Sequence, residues 1–460
     1  MRFSVSLTYS LFGVYDGHNG NRMSKFLGET LIYAVLGQLF DLYYDHAAAL
    51  KPNHVDVGNI MDVGSRSSMV EVDYVLNGDQ KTQHRAEEKF GLIDELDESI
   101  YPSDKEIDLS IKKAFMFLDS IIVNGLAKLV LRNQLSKEEG VRLLSLPNAG
   151  SCALLGIYNN IKRSFKVAVT GDSRAVLGRR VAVAKKNDDD DNTHYAYETH
   201  VLSLDQNAHN PEEVKRLEAA HPGEKIFENG RTLGWGLSRA FGDAVCKWSL
   251  ETQKRLHEEY LGDQIRSNCL TPPYFTAEPE ITTTTIRKGD FVVLASDGLW
   301  DCLTNEEVVG LVGGWLEMRG KEVMIGKGEG IGEGEMVMQP LTKFGLSVEE
   351  DDKRFGGNGW PKGSKGRIDN NNNNSNLKVK DKDDDAEEAS STIWERTDLP
   401  VTSLQPDGTS MYKWWQAKKQ FVNVDSNAAI HLARNAIGGA DTDLTGALLR
   451  MKPPRSRRYR

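Results

Sequence analysis

Three short apolar strands in this chain each run into an aspartate beside a glycine. They read Leu11-Phe-Gly-Val-Tyr-Asp16-Gly17-His18, Phe165-Lys-Val-Ala-Val-Thr-Gly171-Asp172 and Phe291-Val-Val-Leu-Ala-Ser-Asp297-Gly298. A carboxylate at the end of a buried strand is rigidly aimed, and a glycine lets a small group approach the backbone. Three such ends can meet at one point of a sheet only if their repulsion is offset, as a divalent cation with hard oxygen ligands does. The pattern therefore predicts a metal site built on strand ends. Each piece alone has a plainer account. Asp-Gly is a common turn, Gly171-Asp172-Ser173 can close a hairpin, and a histidine after a turn is ordinarily solvated. Recurrence at three strand ends is what favours the metal.

A net charge of −10 argues against a general nucleic-acid surface, and the basic tail Arg455-Ser-Arg-Arg-Tyr-Arg460 is local. The four cysteines, at 152, 246, 269 and 302, lack zinc spacing and read as reduced thiols of an intracellular protein. No apolar run approaches the roughly 18 residues that a bilayer span needs. Residues 1–10 read as part of the strand that ends at Asp16, which leaves no room for a cleavable leader.

Apolar spacing predicts a core helix from Arg22 to about Asp45 and a second from about Glu106 to Val130. Between them, 46–104 reads as an insert or long loop. Gly150 to Tyr158 and Phe165 to Gly178 read as an antiparallel meander, with Gly171-Asp172 as one of its turns. Asp188 to Asp191 reads as an acidic loop tip. A helix is expected from Pro211 to Ala220, capped by Asn210, and a strand from Ile281 to Ile286. A further helix begins at Asn305. The stretch 319–395 is of low complexity and reads as a disordered insert. A last helix runs from Ser426 to Ile437 and stops at Gly438-Gly439.

Two divalent ions held by aspartates can lower the pKa of a shared water and grip the oxygens of a phosphate ester. An acid must then protonate the departing alkoxide, and His18 is placed for that. Gly17 can offer its carbonyl as a ligand. A calcium loop over Asp16–Asn21 has only one acid among the expected ligand positions and does not fit.

Five segments stand in a telling order: Val14-Tyr-Asp-Gly-His-Asn-Gly20, Gly150-Ser-Cys-Ala153, Gly171-Asp-Ser-Arg-Ala175, Leu237-Ser-Arg-Ala-Phe-Gly-Asp243 and Ala295-Ser-Asp-Gly-Leu-Trp-Asp301. Together they resemble the PPM family, the metal-dependent serine/threonine protein phosphatases of the PP2C type. The resemblance implies an α+β fold, a four-layer α-β-β-α sandwich of two antiparallel sheets flanked by helices, as one domain over 1–460. It implies Mg²⁺ or Mn²⁺ as cofactor, two ions with a weaker third. Asp16 would bridge both metals, the Gly17 carbonyl would bind one, and Asp297 would hold the second. Asp172 matches a third-metal position, Asp243 lies near the metal set behind the direct ligands, and His18 would be the general acid. Asn19 occupies a position that is usually small.

Leu202-Ser-Leu-Asp-Gln-Asn-Ala-His-Asn-Pro-Glu-Glu213, Leu270-Thr-Pro-Pro-Tyr-Phe-Thr-Ala-Glu-Pro-Glu280 and Asn427-Ala-Ala-Ile-His-Leu-Ala-Arg-Asn-Ala-Ile-Gly-Gly439 are similar to the pyruvate dehydrogenase phosphatase branch, nearest its fungal mitochondrial members. This implies a phosphoserine or phosphothreonine protein as substrate, a mitochondrial dehydrogenase complex as partner, and mitochondrial location, with the cytoplasm as the alternative. The family pattern also has a phosphate-gripping arginine upstream of the Asp16 motif and paired aspartates with a final strand beyond Arg460. The expectation is a phosphatase truncated at both ends. The alternative is a metal-poor pseudophosphatase that binds phosphoproteins.

Overall fold

The computed structural model describes residues 2–4, 9–50, 102–183, 194–325 and 393–452. The acidic tip 188–191 and most of the two expected inserts, 51–101 and 326–392, lie outside the described residues.

The chain opens with β1 (Arg2–Ser4), β2 (Tyr9–Val14), β3 (Gly17–His18) and the long α1 (Arg22–Leu50). The start is not one strand: β1 folds back antiparallel on β2, pairing Arg2 with Phe12 and Ser4 with Ser10. The next helix is α2 (Asp104–Ser120), whose capping box has Ser103 and Glu106 satisfying each other's backbone N–H. It passes through a π-helical turn, Ile121–Gly125, into α3 (Leu126–Asn133), followed by α4 (Lys137–Asn148). Within Asp104–Asn133 a window of mean hydropathy 1.8 is long and apolar enough to cross a membrane, contrary to the sequence expectation. Half of that window is buried in the protein. Ile107, Ile111, Phe115 and Leu118 pack against α1, so a core helix accounts for it.

Strands β4 (Gly150–Ser151), β5 (Ala153–Asn159), β6 (Ser164–Thr170), β7 (Arg174–Val183) and β8 (His194–Val201) lead to α5 (Pro211–Ala220). Asn210 caps α5 by accepting the Glu212 N–H at 3.0 Å, and Pro211 supplies the preset φ of a first helical residue. Then come β9 (Phe227–Glu228), β10 (Arg231–Thr232), β11 (Phe241–Gly242), α6 (Leu250–Tyr260), β12 (Glu280–Thr285), β13 (Phe291–Ala295), α7 (Asp297–Trp300) and α8 (Asn305–Ile325). The described chain closes with α9 (Met411–Trp415), α10 (Ala428–Ala436) and α11 (Thr442–Arg450). The helix expected to be last, α10, is therefore followed by another.

One sheet has the order β1-β2-β5-β6-β12 and another β13-β7-β8, all pairs antiparallel. The expected meander breaks here. β5 and β6 pair, but β7 crosses to the second sheet, so Gly171-Asp172 is the step between sheets and closes no hairpin. Alternation along the strands explains the stacking. Leu154, Val167, Val169 and Leu177 point between the sheets, with Phe12 and Leu202. Leu11, Leu155, Ile157 and Ala168 point the other way, under α1 and α2. On the far side, Val176 and Tyr197 pack beneath Val308, Val309 and Val312 of α8 and Leu432 of α10. The result is helix, sheet, sheet, helix: the α+β four-layer sandwich that the motifs imply. Each fully buried leucine or valine in these layers contributes roughly 1.5–3 kcal/mol relative to leaving it in water.

Candidate metal centre and acid–base pair

Topology alone brings the three aspartates together. β2 and β6 flank β5 and are both antiparallel to it, so they run in the same direction and end on one edge. β7 starts at that edge, and β13 runs antiparallel to it, with Ala295 opposite Arg174. Asp16, Asp172 and Asp297 each stand two residues past the last residue of β2, β6 and β13, so they gather at one end of the sandwich. The backbone there is tightly tied. The Asp16 carbonyl accepts the Cys152 N–H at 2.8 Å and the Ser151 hydroxyl at 3.0 Å. Gly171, at φ +108, accepts and donates to Gln206, and a Cβ on it would lie 2.4 Å from Cys152 Sγ.

The electrostatics follow from this crowding. The Asp16 carboxyl is pushed up to about 7, first by burial, then by the charge of Asp297 and a hydrogen bond with it, and then by Asp172. Asp172 is raised by burial and by Asp297, against the Cys152 thiol, which donates to its Oδ1 at 3.1 Å. Asp301, quoted in a motif but given no role from sequence, belongs to the same cluster. Its carboxyl is raised by partial burial and then by Asp297, Asp172 and Asp205. Among the described residues no three His, Cys, Asp or Glu donors stand at ligand spacing. Asp297 instead stands near enough to raise the Asp16 carboxyl, a repulsion that a cation between them would offset. An all-carboxylate set in which Asp297 raises Asp16, Asp172 and Asp301 suits a hard divalent cation that would relieve the repulsion.

His18 and Asp243 form the second half of the site. A small sheet, β11-β4-β3, sets Gly242 opposite Gly150 and His18 opposite Gly150 from the other side. Across that glycine His18 Nε2 lies 2.6 Å from Asp243 Oδ2. Burial would lower the imidazole pKa, but Asp243 by hydrogen bond and charge, with Asp172 and Asp16, holds it above its ordinary value. Asp243 is fully buried, and its second oxygen, Oδ1, has no protein partner. The sequence reading put Asp243 near the metals; the structure sets it against His18. Gly17 follows Asp16 in β3, and a Cβ there would come within 2.5 Å of Ser24 Oγ. Asn19, at φ 56, takes the left-handed turn that asparagine tolerates.

Sequence reasoning missed three supporting groups. Arg174 forks onto Asp205 at 2.9 and 2.6 Å, which braces the start of β7 beside Asp172. Glu213 of α5, buried, binds Arg216 at 2.8 Å and Arg239 Nε at 3.0 Å, which anchors the segment leading to Asp243. The Trp235 ring stands 6.1 Å from that of His18. The acidic and basic residue types were visible in the motifs; their partners were not.

The family model described as protein phosphatase 2C matches residues 64–325, which include Asp172, Asp243, Asp297 and Asp301. The chain belongs to the protein phosphatase 2C family. Asp16 and His18 precede that match and stand on the geometry above. A protein phosphatase 2C homolog of Schizosaccharomyces pombe is 34% identical over 362 residues, 78% of this chain and 61% of that protein. The mitochondrial pyruvate dehydrogenase phosphatase 1 of Saccharomyces cerevisiae is 30% identical over 384 residues, 81% of this chain and 55% of that protein. This phosphatase 2C family chain thus spans little more than half the length of these relatives. A crystal structure of serine-threonine phosphatase 2C from Toxoplasma gondii aligns over 68% of this chain and 75% of that one, with TM-score 0.35 and 17% identity.

Proposed function

We propose that the protein is a Mg²⁺- or Mn²⁺-dependent phosphatase that hydrolyses phosphoserine and phosphothreonine in proteins. The observation that carries this reading is the gathering of Asp16, Asp172 and Asp297 at one edge, with His18 held by Asp243 beside them. Asp16, the Gly17 carbonyl and Asp297 would hold two ions, and Asp172 with Asp301 a third. Bound there, the ions would supply a water of lowered pKa and a clamp on the phosphate oxygens.

The chain's own residues do the rest. Asp243 takes the Nε2–H of His18, which leaves Nδ1 to carry the proton that the departing serine or threonine alkoxide needs. The same bond stabilises the imidazolium before the proton is given up. No side-chain nucleophile is required. The named activity of the yeast relative supports a pyruvate dehydrogenase complex as substrate and the mitochondrion as location.

The test is hydrolysis of a phosphothreonine peptide with and without millimolar Mn²⁺, beside Asp297→Asn. Manganese-dependent turnover that the substitution abolishes is the expected result. Retention of the phosphopeptide without turnover would instead mark a phosphoprotein-binding module.

A further inference from the structure

The segment that carries Asp243 is strained and clamped from behind. Gly242 (φ +68) and Asp243 (φ 45) both lie in the left-handed region. For an aspartate this costs on the order of 1 kcal/mol or more and persists only where the surroundings enforce it. The enforcement comes from α2. Asp119, buried in its last turn, accepts the Gly242 N–H on Oδ1 at 2.9 Å and Lys247 Nζ on Oδ2 at 2.6 Å. Lys247, whose side chain is only 7% exposed, also donates to the Ala240 carbonyl at 2.7 Å. One residue on, the Trp248 indole donates to the Val123 carbonyl at 2.8 Å, inside the π-helical turn.

That turn explains why an acid sits there. A π turn shifts the helical stripe by an extra residue and recurs near functional sites. Before it, Ile111, Ala114, Phe115 and Leu118 pack with α1. Within and after it, Val123, Ala127 and Val130 pack with Trp248 and Tyr260. Asp119 falls at the seam between these two clusters, opposite the Asp243 segment.

We propose that Asp119 and Lys247 are positioning residues that set the aim of Asp243 and, through it, of His18. The proposal rests on reading His18 as the general acid of a phosphatase. Without Asp119 the Gly242 N–H loses its acceptor and the Lys247 ammonium keeps only the Ala240 carbonyl, without a counter-charge. The left-handed backbone can then relax, and Asp243 turns away from the imidazole.

The test uses Asp119→Ala and Asp119→Asn in the full chain, each alone and with His18→Ala, on two substrates in Mn²⁺. A phosphothreonine peptide has a leaving alkoxide that needs a proton; p-nitrophenyl phosphate has a phenolate that does not. Asp119→Ala is expected to cut kcat on the peptide about tenfold or more, with KM within about twofold and a several-fold smaller loss on the aryl ester. Asp119→Asn, whose amide oxygen can still accept the Gly242 N–H while its NH2 turns on the Lys247 ammonium, should recover part of it. In the His18→Ala background Asp119→Ala should add nothing. Equal loss on both substrates, or a loss that adds to that of His18→Ala, overturns the proposal in favour of general scaffolding.

A readout without turnover is the downfield imidazole N–H proton of His18 by NMR. It is expected in the wild type and in Asp119→Asn and absent in Asp119→Ala; persistence in Asp119→Ala overturns the proposal. A wild type that shows this resonance but hydrolyses neither substrate sinks the phosphatase reading, and the resonance alone then decides the positioning role. Should Asp119→Ala fail to fold, Lys247→Met is expected to give the same substrate-selective loss at smaller size, and an unselective loss counts against the proposal.

Discussion

His18 and Asp243 meet at 2.6 Å across Gly150, although 225 residues separate them in the chain. The glycine is a condition of the contact. A Cβ on Gly150 would lie 2.0 Å from His18 Nε2 and 2.4 Å from Asp243 Oδ1. Gly150→Ala is therefore expected to push the pair apart and lower phosphopeptide turnover by roughly 10²-fold, the scale of general acid catalysis. Steady-state kinetics beside a thermal unfolding curve would check this. A variant with normal kcat would show that the pair is not needed for catalysis.

Metal binding should be linked to pH. Asp16, held at about 7, must release a proton before it can act as a ligand. Its raised carboxyl favours the metal-free fold below pH 4, and that contribution is lost as pH rises toward 7. Millimolar Mn²⁺ should thus raise the Tm more at pH 8 than at pH 6, with a ceiling of about 2.7 kcal/mol at a hundredfold excess over Kd. Equal shifts at both pH values, or none in the wild type, would count against Asp16 as a ligand.

Glu213 is the anchor of the segment that leads to Asp243. Burial alone would raise its carboxyl, but hydrogen bonds from Arg239, Arg216 and Ser238 hold it down to about 2. A carboxyl depressed in the folded state stabilises above its unfolded pKa, near 4.5, and that stability is lost as pH falls toward 2. Glu213→Gln should cost about 3 kcal/mol at neutral pH, because the buried Arg239 keeps only the more exposed Glu280 as a counter-charge. It should also flatten the acid limb of the stability curve. Urea unfolding between pH 2.5 and 7 measures both.

His431 works in the opposite sense. Its ring is buried, Nε2 lies 3.2 Å from the Leu311 carbonyl and Nδ1 lies 3.3 Å from Asn435 Nδ2, an arrangement that only a neutral imidazole satisfies. Burial holds its pKa down to about 4. Between pH 6.5 and 4 the unfolded chain binds the extra proton, so stability should fall with pH across that window by up to about 1.4 kcal/mol per unit. His431→Asn should lose stability at pH 7.5 yet show a shallower slope from pH 6.5 to 4.5 in the same urea series. An unchanged slope would assign the window to other groups.

Much of the fold could be read along the chain because local rules wrote it there. Pro211 after Asn210 marked the start of α5, and the apolar run in 165–170 marked a strand. The reading failed where distance in sequence hid proximity in space. Nothing local says that β7 leaves the sheet of β6, so Gly171-Asp172 looked like a hairpin turn. Asp301 stood in a quoted motif, but only Asp297 and Asp172 beside it give it meaning. Asp119 interrupts an apolar helical stripe and carries no signal at all until Gly242 and Lys247 arrive opposite it.

By itself the sequence determined which residues could be ligands and acids. Hydrophobic period and glycine placement act over a few residues, and they set aspartates at the ends of apolar strands. Only the tertiary structure decided that those ends share one edge and that His18 faces Asp243 over a missing Cβ. It also decided that the carboxyls stand close enough for the charge of Asp297 to raise Asp16, Asp172 and Asp301. Strand order, sheet crossing and charge coupling depend on contacts across the whole chain, and no window of the sequence contains them.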